Sequence, residues 1–252
     1  MRWQTVVGGR DAQTWCPAAV GTRLSAQNHL IEILARDDRR RLLAICESVD
    51  LVLGDVVCEP ATPTRHVYFP IDSFISLVAT VAGSPGVEVG IVGREGMLGS
   101  QLALGVGTTP LLAVVQGSGG ALRVGTTAFR RELARSVTLQ RTLDQYIAVL
   151  MVQLTTSAVC LRFHQIGARL ARWLLMSHDR ASGDTFRITH EFLAYMLGVR
   201  RVGITSAATN LQRAGLIEYR RGVLTVLDRA GLRAAACPCY AVGRRAYSER
   251  LR

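Results

Sequence analysis

Apolar positions change their rhythm several times along this 252-residue chain. Residues 1–27 mix Gly, Pro and polar side chains without a period and read as a tail. Two short helical patterns follow at 30–35 and 37–47, with Asp37 placed to cap the second. Between residues 49 and 124, short β-branched runs at 67–69, 74–81, 87–92, 111–115 and 121–124 alternate with turn clusters such as Gly83-Ser84-Pro85-Gly86. Regular short strands with turns between them predict a small sandwich or roll. Residues 126–166 then form a 41-residue stretch without Gly or Pro, able to hold a long helix. Within it Leu143, Ile147, Leu150, Leu154, Ser157 and Leu161 are spaced 4-3-4-3-4. That average of 3.5 keeps one seam against a neighbour. The neighbour is either a partner helix or the β module of the same chain.

The strongest local pattern is residues 188–211, ITHEFLAYMLGVRRVGITSAATNL. Thr189 can cap a helix over 190–197 with Leu193, Met196 and Leu197 inward, and Gly198 suits the left-handed residue that ends it. A second helix is predicted from about 201 to 213, with Ile204, Ala207 and Leu211 inward. Two steeply crossing helices need small and apolar residues around their turn, and Ala194, Leu197, Gly198, Val199, Ile204 and Ala207 supply them. This is a helix-turn-helix pattern. Downstream, apolar runs at 216–219 and 223–226 flank Arg220-Arg221-Gly222, a short hairpin with a basic tip. Upstream, the amphipathic segment 167–178 can close a three-helix core.

Composition narrows the class. With 49% apolar and 19% charged residues, the chain is neither disordered nor a coiled-coil rod. It has no run of about 18 uninterrupted apolar residues, and its first residues lack the apolar region of a secretory signal. A soluble cytoplasmic protein, off the membrane, is expected. Thirty basic residues, all arginine, stand against nineteen acidic ones. Residues 1–163 carry a net +2, whereas residues 164–252 carry fifteen Arg and six acids, a net +9. A basic C-terminal third on a nearly neutral body points to a polyanion. Aromatic residues are only 6% of the chain, which favours duplex DNA over RNA, whose bases stack on exposed rings.

Candidate chemistry is sparse. Cys16, Cys46, Cys58, Cys160, Cys237 and Cys239 are scattered, and beyond Cys237-Pro238-Cys239 no Cys or His pair stands out at a zinc-like spacing. Reduced thiols are expected, with no metal and no cofactor; redox activity of the Cys-Pro-Cys pair stays open. The chain shows no Gly-x-Ser-x-Gly elbow, Walker loop, paired carboxylates in a Gly-rich setting or His-x-x-x-His helix. It does not read as an enzyme.

From about Asn28 onward the chain resembles the Crp/Fnr family of bacterial transcription regulators. The residues that carry the likeness are Arg169-Leu170-Ala171-Arg172-Trp173-Leu174-Leu175, Phe186-Arg187 leading into ITHEFLAYMLGVRR, His66-Val67-Tyr68-Phe69-Pro70 and Val92-Gly93-Arg94-Glu95-Gly96-Met97-Leu98-Gly99. The resemblance implies an α+β fold. A cyclic-nucleotide-binding-like jelly roll would occupy 28–135, a dimerisation helix 136–163 and a winged helix-turn-helix domain 164–236, with a tail at 237–252. It implies a homodimer joined through Leu143, Ile147, Leu150, Leu154 and Leu161, on an inverted repeat in double-stranded DNA. The DNA-contacting residues would be Thr189, His190, Arg200, Arg201, Val202, Ser206, Arg220 and Arg221. RNA polymerase is a further partner that the family implies.

Three departures qualify the carry-over. Cyclic-AMP-responsive members have a Gly-Glu-Leu-Gly type of turn, whose glutamate holds the ribose, and about ten residues later an arginine that neutralises the phosphate. Here the turn is Gly96-Met97-Leu98-Gly99, and no basic residue lies between Arg94 and Arg123. A buried phosphate without a charged partner is very costly, so cyclic AMP is not expected and the effector is unknown. Glu95 reads as a hydrogen-bonded turn residue. In the reading head, Arg201 keeps the fork that suits guanine, Val202 can meet a thymine methyl and Ser206 is short, so the operator should differ from the family consensus. Iron-sulfur members use an N-terminal cysteine cluster, which Cys16, Cys46 and Cys58 are too far apart to match. A second reading is a receptor for a small molecule or cyclic dinucleotide whose basic C-terminal domain binds protein or RNA.

Overall fold

The computed structural model describes residues 28–82 and 86–251, so the 1–27 tail and most of the 83–86 turn lie outside the described residues. Helix α1 (His29–Glu32) is capped by Asn28, whose side-chain oxygen accepts from Leu30 N while its amide donates to Pro70 O and Gly96 O. Helix α2 (Arg36–Ala44) has Ala35 as its N-cap, two residues before the expected cap. Asp37 therefore sits inside its first turn, paired with Arg40, and does not cap it. The helix also ends early. Glu47, expected to close it, opens strand β1 (Glu47–Leu51), which pairs antiparallel with a strand near the end of the roll.

The roll continues with β2 (Val56–Cys58), β3 (His66–Pro70), β4 (Phe74–Ala79), β5 (Val87–Val92), β6 (Leu111–Gly117) and β7 (Gly119–Gly125). They form two antiparallel sheets, ordered β1-β7-β3 and β2-β6-β4-β5. Alternation along each strand sends neighbouring side chains to opposite faces. Tyr68, Ile75, Leu77, Ala113, Val115 and Ala121 point between the sheets. Val67, Phe69, Leu122 and Val124 point out from the first sheet and meet α1, α2 and the later helices. Val78, Leu112 and Val114 point out from the second sheet and meet the C-terminal domain. Strands β3, β4 and β6 are covered on both faces, which explains why they read as continuous apolar runs.

Ser76, Glu88 and Gln116 share the covered outer face of the second sheet. Ser76 Oγ lies 2.6 Å from Glu88 Oε2 and also contacts Gln116 Oε1. Burial pushes the Glu88 carboxyl up to about 7, against the hydrogen bond that Ser76 donates to it.

The breaker-free stretch holds two helices, α3 (Thr126–Arg135) and α4 (Val137–Phe163). Ser136 interrupts them with an extended backbone, and its hydroxyl caps α4 at Leu139 N. The 4-3-4-3-4 seam divides into two. Leu143 is fully buried in the chain's own core, Leu150 packs on that core, and Ser157 donates to Val89 O of edge strand β5. Gln153 completes this side, its amide bonding both the N–H and the C=O of Ile91. The set including Ile147, Leu154 and Leu161 turns outward and continues through Met151 and Ala158. So Leu143 cannot contact a second chain; its seven-residue series serves the roll, and the other series is left exposed. With mean hydropathy 1.5, α4 is long and apolar enough to cross a bilayer, but its apolar residues are divided between these two tasks.

Helix α5 (Ile166–His178) opens the C-terminal domain. Strand β8 (Thr185–Arg187), α6 (His190–Met196), α7 (Arg201–Arg213), β9 (Ile217–Arg220), β10 (Val223–Val226) and α8 (Arg229–Ala235) follow. The three strands make a sheet ordered β8-β10-β9. Residues 237–252, expected to be a tail, instead form helix α9 (Cys239–Arg250), which packs along α4. Its Tyr240, Ala246 and Leu251 are buried, and these scattered apolar positions have no clean period to announce the helix.

Candidate nucleic-acid interface

Helix α6 starts where Thr189 Oγ1 accepts from Phe192 N at 3.1 Å, a cap worth about 1 kcal/mol. It ends at Gly198, whose φ of +59° is the left-handed conformation that glycine adopts freely. A Cβ there would also lie 3.2 Å from Val87 of the roll. Arg169 of α5 is buried and donates to Leu197 O, so the turn is held from below as well. Leu193, Met196, Leu197, Ile204, Ala207 and Leu211 form the joint core of the two helices.

With Ile204, Ala207, Ala208 and Leu211 inward, α7 presents Arg201, Val202, Thr205, Ser206, Thr209 and Gln212 to solvent. Val202 is 73% exposed on this face. Arg201 and Ser206 occupy the same exposed face, as the sequence predicted. Thr205 and Thr209 were missed, although their spacing of four from Arg201 through Thr205 to Thr209 places them along its centre.

The wing follows from β-hairpin geometry. Arg220 pairs with Val223, leaving Arg221-Gly222 as a two-residue loop with φ values of +50° and +79°. Positive φ at both positions is the type I′ turn. It holds the Arg221 side chain out at the tip, at a backbone cost that glycine or asparagine would not incur. Arg187 of β8 lies across Val223 from Arg220, so one face of the wing carries two arginines; the sequence reading had not counted Arg187. Arg187, Arg200, Arg201, Arg220 and Arg221 are all exposed, and none forms a salt bridge among the described residues.

His190 also packs against the wing. Its ring stacks on Tyr219 of β9 with centroids 4.3 Å apart, and its Nδ1 lies 3.1 Å from Thr205 Oγ1. Tyr219 in turn donates to Ile188 O, and its N–H donates to Gln212 Oε1. His190 therefore joins recognition helix to wing and sets the angle between them. Burial, with the nearby Arg201 charge, holds its imidazole below the ordinary value.

The C-terminal domain is also fixed to the roll by charge. Glu95, in the turn before Gly96, accepts from Arg180 Nε at 2.8 Å and from Gly93 N at 3.2 Å. This confirms it as a bonded turn residue and supplies a partner that the sequence did not suggest. Met97, in the place of the family's ribose ligand, is buried among the helices outside the roll. Tyr146 of α4 donates to its carbonyl.

Residues 168–235 match the model of the Crp-like helix-turn-helix domain. A comparison with curated proteins finds no match. Among solved structures, a putative Crp/Fnr regulator from Eubacterium rectale is 14% identical with a TM-score of 0.64, covering 82% of this chain and 96% of that one. FixK2 from Bradyrhizobium japonicum is 12% identical with a TM-score of 0.62, covering 77% and 98%. The c-di-GMP-responsive regulator CLP from Xanthomonas campestris is 16% identical with a TM-score of 0.59, covering 76% and 99%. The fold of these proteins is the fold of this chain.

Proposed function

We propose, from a Crp-like helix-turn-helix domain carried on the Crp/Fnr fold, that this chain is a transcription regulator that reads duplex DNA as a homodimer. The observation that carries the reading is the set of five unpaired arginines around the exposed face of α7. Arg201 would meet a guanine edge, Val202 a thymine methyl, and Ser206, Thr205 and Thr209 the adjoining bases. Arg187, Arg200, Arg220 and Arg221 would take phosphates, and Thr189 would do so through the start of α6. Two chains would join through Ile147, Met151, Leu154, Ala158 and Leu161 of α4, presenting two recognition helices about 34 Å apart to an inverted repeat. Such a regulator works in the cytoplasm, with RNA polymerase as a further partner. The buried Met97 argues against cyclic AMP as its signal.

The test is selection of bound sequences from random DNA with the purified full chain. Enrichment of one inverted repeat is expected. Recovery of no motif at moderate salt would overturn the reading.

A further inference from the structure

Away from the DNA-facing surface, four side chains converge where α4 meets α5. Cys160 lies in the last turn of α4 and His164 is its C-terminal cap; Cys237 and Cys239 bracket Pro238 at the start of α9. Cys160 Sγ is 3.5 Å from Cys237 Sγ, and Cys239 Sγ is 3.5 Å from His164 Nδ1. All four ligand atoms lie within 4.8 Å of one another. We propose that Cys160, His164, Cys237 and Cys239 bind a single zinc ion that clamps the C-terminal helix to the junction of α4 and α5.

Three buried thiols could pack together merely as small hydrophobes. Here the three sulfurs form a small cluster of their own, apart from the larger cores, with Ala168 packed against it. The donor set, three sulfurs and one imidazole nitrogen, is a structural zinc set. Its size also fits. A tetrahedron with metal–sulfur bonds of about 2.3 Å has edges of about 3.8 Å, close to the observed separations. An iron-sulfur cubane would hold its ligands farther apart.

Charge points the same way. Three thiolates around Zn²⁺ leave one net negative charge in a buried place, which needs a cation. Arg169 and Arg172 of α5 line the same small cavity as Cys160, and Arg172 Nε is buried without a hydrogen-bond partner. A thiolate sulfur would accept from such an N–H. The backbone is prepared as well. Cys160 and His164 stand four apart on one side of the helix end, and Pro238 fixes the chain between the other two ligands. A Cys160–Cys237 disulfide would explain two of these residues and leave Cys239 and His164 without a role.

The test uses the full chain purified under reducing conditions without added metal. Elemental analysis after dialysis should find about one zinc per chain. Replacement by Co²⁺ should give the visible bands of a tetrahedral thiolate site. Cys237→Ser with Cys239→Ser should reduce the metal to background. His164→Ala, at a partly exposed position, should keep the helical circular dichroism while weakening zinc binding tenfold or more. Cys46→Ser and Cys58→Ser should change nothing. The proposal is overturned if the reduced protein holds neither zinc nor cobalt. Iron with inorganic sulfide in the site, a Cys160–Cys237 disulfide in protein isolated without oxygen, or full zinc affinity in His164→Ala would each overturn it too.

Discussion

Replacing Glu95 by Gln isolates one electrostatic joint between the roll and the DNA-binding domain. The Arg180 side chain is 7% exposed and the Glu95 side chain 21%. Arg180 also donates to Met176 O, but Glu95 is the carboxylate it contacts. Glu95→Gln keeps the shape and one acceptor oxygen while leaving a buried cation without its counter-ion. Removing one member of a buried pair costs roughly 3–5 kcal/mol. The retained amide places this variant at the low end, about 3 kcal/mol, or about a hundredfold in the folding equilibrium. Arg180→Met should cost less, because the remaining carboxylate reaches water. The double variant should then be no worse than Glu95→Gln alone, giving a coupling of about 2 kcal/mol. Urea unfolding followed by circular dichroism measures all three. Coupling under about 0.5 kcal/mol would mean that the pair behaves as two independent surface groups, and the reasoning would fail.

Met151→Glu with Leu154→Glu places charges on the outward stripe of α4 without touching its core side. Sedimentation should give a monomer with unchanged circular dichroism, and an unchanged mass would locate the dimer contact elsewhere. Arg201→Ala should cost roughly 1–3 kcal/mol on the selected site and relax preference at one symmetric position. Arg221→Asn, which also eases the turn, should weaken every duplex alike and lower the salt slope by about one. Salt titrations on selected and scrambled DNA separate the two, and equal losses on both duplexes for Arg201→Ala would make it a phosphate contact. Burial holds the folded Glu88 carboxyl up at about 7, above its ordinary value, while the Ser76 hydrogen bond and the charges of Arg172 and Arg180 pull the other way. The folded state therefore holds the extra proton in that interval, and stability should fall, by up to about 3 kcal/mol, as pH rises from about 4.5 through 7. Glu88→Gln should flatten that slope in urea midpoints taken across the range; an identical slope would show that another group carries it.

The helix-turn-helix was legible almost to the residue because its signals are local. A threonine cap, a left-handed glycine and a helical period each act within a few positions of Thr189, Gly198 and Ile204. The seam of α4 was half legible. Its spacing was right, yet periodicity alone cannot say that Leu143 faces inward and Leu154 outward, since two series of period seven interleave on one helix. Strands β1 and β2 were missed because Glu47-Ser48-Val49-Asp50-Leu51 pairs on one side and is largely wet, so it lacks the apolar run of a covered strand. The stacking of His190 on Tyr219 was hidden because the two stand 29 positions apart. The sulfur cluster was hidden for the same reason. Cys160 and His164 stood four apart in plain view, but nothing short of the fold brings Cys237 beside them.

The second sheet of the roll is a wall with a tenant on each side. Ile75, Leu77, Ala113 and Val115 furnish one room, while Val78, Leu112 and Val114, their immediate neighbours along the same strands, furnish the other. Neither room closes without the wall. Cutting the chain between α4 and α5 would leave the sensor with an oily exterior and the reader without part of its floor, so the two halves should express poorly apart and recover when mixed. It also sets the shortest route for a signal. A push on the inner side chains would reach the floor of the C-terminal domain through one strand's thickness, without travelling the length of the long helix.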